Sequence, residues 1–141
     1  MGLVKINSSN NNYVLKFDRG ESLMEGIKNF CTENGIEGAF FYGLGAVQEI
    51  EIGYYDLQDQ EYDFKLLDKV LEITNITGNV AMLDGELVVH AHANLSDRTL
   101  HTYGGHVKEA KVAGTCEIFL ATHGALKRQK DSDTGLNLLD L

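Results

Sequence analysis

Hydrophobic and polar residues alternate along most of this 141-residue chain, and a period of two residues predicts β-strands. Clusters of Gly, Asn and Asp separate the apolar runs and mark turns between them. Asp84-Gly85 is a typical two-residue hairpin turn, and residues 135–141 are apolar enough to dock as an edge strand. Besides that edge, the pattern predicts about seven strands, at residues 13–17, 39–44, 49–54, 62–67, 73–83, 86–94 and 111–122.

The burial expected of these strands differs along the chain. Residues 39–44 are nearly all apolar, which is typical of a strand buried on both faces. Residues 49–54 alternate instead, which places Ile50, Ile52 and Tyr54 inward.

One segment, about residues 22–34, has helical periodicity. Ser22 and Glu25 have the spacing of a capping box, in which each side chain satisfies a backbone N–H at the start of the helix. Asn34-Gly35 is a stop signal. The apolar face of this helix would consist of Leu23, Ile27, Phe30 and Cys31.

One helix and about seven strands predict an α+β fold with a mainly antiparallel sheet. The length fits a single domain over residues 1–141. Residues 1–12 are expected to form a soft N-terminus, because the polar run at residues 7–12 is typical of a loop.

Composition narrows the class of protein. Hydrophobic residues make up 43% of the chain, and no apolar run approaches the ~18–20 residues of a membrane span. The first residues do not have the shape of a signal peptide, so we expect a cytoplasmic location and no membrane partner. Cys31 and Cys116 are isolated in apolar surroundings, which predicts buried thiols and not a disulfide.

The net charge of −9 disfavours nucleic acid as a partner, because phosphate contacts depend on Lys and Arg. The one basic cluster, residues 127–130, is followed at once by Asp131 and Asp133. We interpret this cluster as a solvated turn and not as a DNA-binding patch.

The histidines carry the most specific chemical signal. His90 and His92 are two residues apart on a predicted strand, so both rings point the same way. Gly104-Gly105 allows a sharp turn and a close backbone approach, which would return His106 as a third ligand. Three imidazoles can hold a divalent ion such as zinc and leave a coordination position open.

Other residues could join this site without being required by it. Asp97 is a candidate hydrogen-bond partner for an imidazole, and Glu72 or Glu117 is a candidate general base. His101 and His123 are weaker ligand candidates. No catalytic residue is assigned. The glycines of residues 43–45 lack the context of a dinucleotide-binding fingerprint, and they would permit tight packing or the approach of another subunit.

Short motifs from about Tyr13 to Leu141 resemble, in their order and spacing, the PPC domain, the plants-and-prokaryotes-conserved family. They are Asp18-Arg19-Gly20-Glu21 and the segments at residues 36–39, 43–47, 53–56, 71–79, 90–97, 104–106 and 116–118. The chain is similar to the stand-alone prokaryotic type, because it has no proline and therefore no AT-hook core.

The resemblance implies a homotrimer and a metal, expected to be zinc, on His90, His92 and His106. Two functions follow from it. The first is a trimeric metal-binding protein with an open site and a small-molecule or catalytic role, and whether it is an enzyme stays open. The alternative is a DNA-binding or regulatory interaction module with a structural metal, as the family is often described. The charge disfavours the DNA version.

Overall fold

Nine strands and one helix make up residues 5–141, the part of the chain that this computed structural model describes. The helix α1 spans Leu23–Glu33. The strands are β1 (Lys5–Ser9), β2 (Asn12–Asp18), β3 (Ala39–Asp56), β4 (Glu61–Leu67), β5 (Leu71–Leu83), β6 (Glu86–Ser96), β7 (Thr102–Thr122), β8 (Lys127–Lys130) and β9 (Asn137–Asp140). The predicted α+β class with one main helix is confirmed.

All nine strands belong to one sheet, and its pairings are antiparallel except for a single parallel contact between β5 and β8. The pairs β3·β5, β5·β6, β6·β7 and β7·β3 close into a ring. Strands β1 and β2 extend the sheet from β7, β4 pairs with β3, and β9 pairs with β8. The ring brings β6 and the start of β7 side by side, which sets the position of the histidines.

The core lies between α1 and the sheet. The helix buries Leu23, Met24, Ile27, Phe30 and Cys31, as its predicted apolar face requires. Both cysteines are free and buried, as predicted, and burial raises the pKa of each thiol to about 12. These thiols are therefore inert core residues near neutral pH.

The start of α1 is capped differently from the prediction. Ser22 occupies the N-cap position but makes no side-chain capping hydrogen bond. The carboxylate of Glu109 on β7 accepts from the backbone N–H groups of Met24 (2.8 Å) and Glu25 (3.1 Å). The capping-box prediction is therefore wrong, because an acidic side chain from a neighbouring strand supplies the acceptor.

Residues 39–56 form one long strand, β3, where the sequence pattern predicts two. Register shifts at Gly43–Gly45 and beyond it let β3 bend while it remains paired with β5 and β7. Three of its apolar side chains, Phe40, Tyr42 and Leu44, are about half exposed, so burial on both faces is wrong for this segment. Tyr54 is also exposed, whereas Ile50 and Ile52 are buried as predicted.

Two hairpins follow the turn chemistry of the sequence. Asp84 and Gly85 both have positive φ and join β5 to β6, as predicted. At the other end, Asn10 and Asn11 have positive φ and join β1 to β2, so a paired strand replaces much of the loop expected at residues 7–12. Residues 1–4 of the expected soft N-terminus lie outside the described residues.

Strand β7 begins well before the predicted residue 111 and includes His106, and residues 127–130 form β8 instead of a solvated turn. Within residues 5–141, α1 is the one helix, and it is too short to cross a membrane.

Candidate metal centre

Strand pairing brings the three predicted histidines together. His90 and His92 lie two residues apart on β6, and His92 is the direct cross-strand partner of His106 on β7. One ring nitrogen from each of the three can be chosen so that all lie within 4.8 Å of one another. This is the one such group of three or more His, Cys, Asp or Glu residues in the described part of the chain.

The ring geometry is compatible with a shared ion. The centroids are 5.0 Å apart for His90 and His92, 5.2 Å for His90 and His106, and 5.6 Å for His92 and His106. With zinc–nitrogen bonds of about 2.0–2.1 Å, ligand nitrogens of a tetrahedral site lie roughly 3.3 Å apart. The observed ligand nitrogens all lie within 4.8 Å of one another, which is close to that separation.

Glycine positions His106 by close packing and not by a sharp turn. Gly104 and Gly105 lie within the continuous strand β7. A Cβ at Gly105 would come 2.7 Å from the carbonyl oxygen of Gly53, and one at Gly104 would come 2.8 Å from Oδ1 of Asn94. The close approach expected of this glycine pair is present, whereas the turn is not.

The site keeps two of its imidazoles neutral. The pKa of His90 falls to about 4, first because burial disfavours the charged ring and then because the other two histidines and Arg128 lie nearby. Burial, and then His92, also lowers the pKa of His106. Because a metal binds the neutral ring, these two side chains are in the ligating form at neutral pH.

The donor set fits a divalent ion such as zinc. Nδ1 of His106 is buried and has no hydrogen-bond partner among the described residues. An unpaired polar atom is costly when buried, and coordination to a metal would remove that cost. The Tyr62 ring packs against His106 with centroids 4.6 Å apart and fixes one side of the imidazole.

The histidines open into a cleft of about 680 Å³, which is within the usual range for small-ligand sites. No Asp or Glu lines this cleft among the residues described. Its lining residues are Gly53, Tyr54, Tyr55, Gln60, Tyr62, Val88, Val89, His90, His92, Gly105, His106, Arg128, Gly135, Leu136, Asn137 and Leu138.

Arg128 is a residue of the cleft that the sequence did not predict. Its guanidinium donates to the Asn137 carbonyl (2.8 Å) and to Oδ1 of Asn79, and it lines the histidine cleft. Nε of Arg128 is buried and unpartnered within residues 5–141. The sequence Lys127–Lys130 is polar throughout and carries no signal for this role; in the structure Arg128 alone is half-buried and its three neighbours are exposed.

The other candidate residues lie outside the histidine group. Neither Glu72 nor Glu117 lines the cleft, and both are exposed. Asp97 instead organises its own turn, where Thr99 is the main cause of its pKa falling to about 2. His101 lies beside Asp97, 3.9 Å from a carboxylate oxygen, and His123 is exposed on the segment between β7 and β8.

Solved structures with the same fold come from archaea and bacteria. A PPC protein from Pyrococcus horikoshii is 34% identical, with a TM-score of 0.86 and coverage of 100% of this chain and 96% of that one. A metal-containing protein from Archaeoglobus fulgidus is 35% identical, with a TM-score of 0.85 and full coverage of both chains. A protein from Ralstonia eutropha JMP134 that carries a provisional DNA-binding name is 28% identical, with a TM-score of 0.91 and coverage of 97% and 96%.

Among curated proteins, the chain is 31% identical over 126 residues to the bifunctional protein GlmU of Synechococcus sp. (strain JA-3-3Ab). The match covers 87% of this chain but only 19% of GlmU, so the chain spans about a fifth of that relative. A sequence model of the Plants and Prokaryotes Conserved (PCC) domain matches residues 5–124. The resemblance noted in the sequence is thus confirmed, and this chain belongs to the PCC domain family.

Proposed function

We propose that this protein binds one divalent metal ion, zinc, through His90, His92 and His106 and presents it to a small molecule in the adjoining cleft. The observation that carries this proposal is the convergence of three imidazoles, with ligand nitrogens within 4.8 Å, at the wall of one cleft. The archaeal relative from A. fulgidus, which is 35% identical and metal-containing, supports it.

Each residue has a distinct part in this function. The three imidazoles donate nitrogen lone pairs, and Tyr62 holds the His106 ring in place. A bound zinc would supply a Lewis-acidic position for a ligand oxygen. No carboxylate among the described lining residues offers a general base, which favours ligand binding over hydrolysis by an activated water.

Metal content tests the proposal directly. Protein purified without an affinity tag, stripped and reconstituted with zinc, should contain about one zinc per subunit by elemental analysis. Because three ligands are needed for tight binding, His90→Ala and His106→Ala should each lose most of that metal.

His101→Ala is the matched control, since His101 is an exposed histidine outside the group, and it should retain full metal content. Well-folded wild-type protein that holds no metal after reconstitution would refute the proposal. Equal metal content in His106→Ala and wild type would refute the ligand set.

We also propose that three copies of the subunit assemble. An exposed apolar face supports this proposal: Tyr42 and Phe119 stack across β3 and β7 with centroids 5.3 Å apart, and Phe40 and Leu44 lie beside them. Exposed apolar patches of this kind are typical of protein–protein interfaces. Gly43 and Gly45 do not bear on the assembly, because a Cβ at either would clash with a β7 carbonyl oxygen of the same chain, so these glycines permit tight packing within the subunit.

The alternative is a DNA-binding or regulatory module with a structural metal, and the provisional name of the R. eutropha relative supports it. The charge of this chain weighs against it, because three subunits at −9 each give −27. We therefore place metal-dependent binding of a small molecule first.

A further inference from the structure

The distribution of charge around the histidine cleft is unusual for this chain. The sequence has 21 acidic and 12 basic residues, yet no acidic side chain is among the described residues that line the cleft. Arg128 is the one Lys or Arg among them. The cleft is therefore positive within an acidic protein, and a bound metal would make it more so.

Arg128 is held in place next to the metal-binding strand. It donates to Oδ1 of Asn79, and Asn79 is the cross-strand partner of His90. Its second hydrogen bond goes to the backbone of Asn137, at the start of β9. Each terminal nitrogen of a guanidinium has two N–H groups, so these two bonds leave a second donor on each.

The rest of the cleft is largely apolar. Val88, Val89, Leu136 and Leu138 line it together with aromatic rings from β3 and β4. Two hydrogen bonds hold the segment before β9 in place. The Tyr55 hydroxyl donates to the Thr134 carbonyl (2.6 Å), and the Gln60 amide donates to the Asp133 carbonyl (3.0 Å). An occupant would thus meet a cationic end and an apolar wall.

We propose that the cleft binds a small aliphatic carboxylate, with its charged head on Arg128 at the metal-site end and its carbon chain along the valine and leucine wall. This inference rests on the proposed function, because the metal supplies the second positive group. Arg128 keeps three unused N–H donors, one on each terminal nitrogen and the buried Nε–H. A carboxylate suits such a set, since arginine and carboxylate form paired parallel hydrogen bonds. A phosphate is less suited, because a single arginine and no lysine are available to it.

Calorimetric titration of zinc-loaded protein with butyrate and hexanoate tests this assignment. Both should bind, hexanoate more tightly because it buries more apolar surface, and the neutral amides of the same length should bind at least about tenfold more weakly. Arg128→Gln should weaken hexanoate binding about tenfold or more, whereas Lys127→Gln, an exposed neighbour on β8, should leave it unchanged.

Arg128→Lys provides a second variant in case Arg128→Gln perturbs β8; it keeps the charge but loses the paired geometry, so it should bind hexanoate with intermediate affinity. Zinc content is measured on the same samples, so failure of the metal site and failure of carboxylate binding are separate results. Absence of hexanoate binding to fully zinc-loaded protein overturns the inference. So does inorganic phosphate binding as tightly as hexanoate, or equal affinity for acid and amide.

Discussion

His90 shows how a residue's surroundings prepare it for metal binding. Burial is the main reason why its pKa lies at about 4 in the folded protein, and two other imidazoles and a guanidinium nearby lower it further. A depressed pKa keeps the ring neutral over the whole range in which an ordinary histidine titrates. Protons therefore compete with a metal for His90 only in distinctly acidic solution.

The same pKa predicts how the stability of the metal-free protein depends on pH. Above an unfolded-state pKa of 6.5 the ring is neutral in both states, and between 6.5 and about 4 only the unfolded chain takes up the proton. The free energy of unfolding should therefore fall as the pH falls through this window and the contribution should level off below it. Urea unfolding of chelator-treated protein at several pH values measures this, and His90→Asn should flatten the slope. An identical slope in His90→Asn would contradict the prediction.

At the level of residues, the convergence of the histidines could be predicted and their surroundings could not. His90 and His92 share a face because of strand geometry alone, which is a local property. Arg128 enters the same cleft only because β8 pairs with β5 and β9, and the pairing with β5 joins segments far apart in the sequence. The residues 127–130 therefore look like a solvated turn until the register is known.

Among the elements, α1 depends on a neighbouring strand for its N-terminus. Glu109 accepts from two of the first backbone N–H groups of the helix, while Ser22 makes no side-chain capping bond. We expect Glu109→Ala to lower the free energy of unfolding by about 1–2 kcal/mol, the usual cost of losing an N-cap acceptor.

Chemical denaturation measures this effect, with Ser22→Ala as the matched control that should change stability by a few tenths of a kcal/mol or less. If Ser22→Ala lowered the free energy of unfolding more than Glu109→Ala does, the local capping-box prediction would be correct instead. The sequence alone favours Ser22 as the capping residue, because it shows the spacing between Ser22 and Glu25. It does not show that Glu109 on β7 contacts the start of α1.

Strand positions followed from alternation, but strand lengths did not. Residues 39–44 and 49–54 belong to one strand because bulges carry β3 through residues 45–48, the glycine-containing stretch between them. The exposure of one face of β3 could not be predicted either, because a run of apolar residues is typical of a strand buried on both sides. In a sequence, an apolar strand face that packs against another subunit cannot be distinguished from one that packs inside its own subunit.

At the scale of the whole molecule, that apolar face predicts assembly. Light scattering should give a mass near three times the 15.6 kDa of one subunit. Tyr42→Glu places a charge where Tyr42 stacks on Phe119, so it should shift the protein toward monomers. Leu100→Glu is the control, because Leu100 is exposed on the segment between β6 and β7 and is not among the residues of that face, Phe40, Tyr42, Leu44 and Phe119. A monomeric wild type at micromolar concentration would contradict the proposed assembly.

The charge of the molecule makes its own prediction about DNA. Non-specific binding requires several phosphates to be neutralised by Lys or Arg. Of the basic cluster on β8, Arg128 is half-buried in the histidine cleft, which leaves the exposed Lys127 and Lys130 on the surface. Helix α1 buries its apolar face, and its exposed positions include two glutamates and one lysine, so it does not form a basic recognition surface.

We therefore expect no binding to duplex DNA tighter than the non-specific range of about 10⁻⁴–10⁻⁶ M at physiological salt. Fluorescence anisotropy with A·T-rich and mixed duplexes at low and physiological salt measures this, and metal-loaded and metal-free protein should behave alike. Sub-micromolar, salt-sensitive binding that is lost in the double variant Lys127→Gln, Lys130→Gln would instead favour the DNA-binding module. In that case the two exposed lysines, and not the histidine cleft, would mark the functional surface, because removing them would abolish binding without touching a metal ligand.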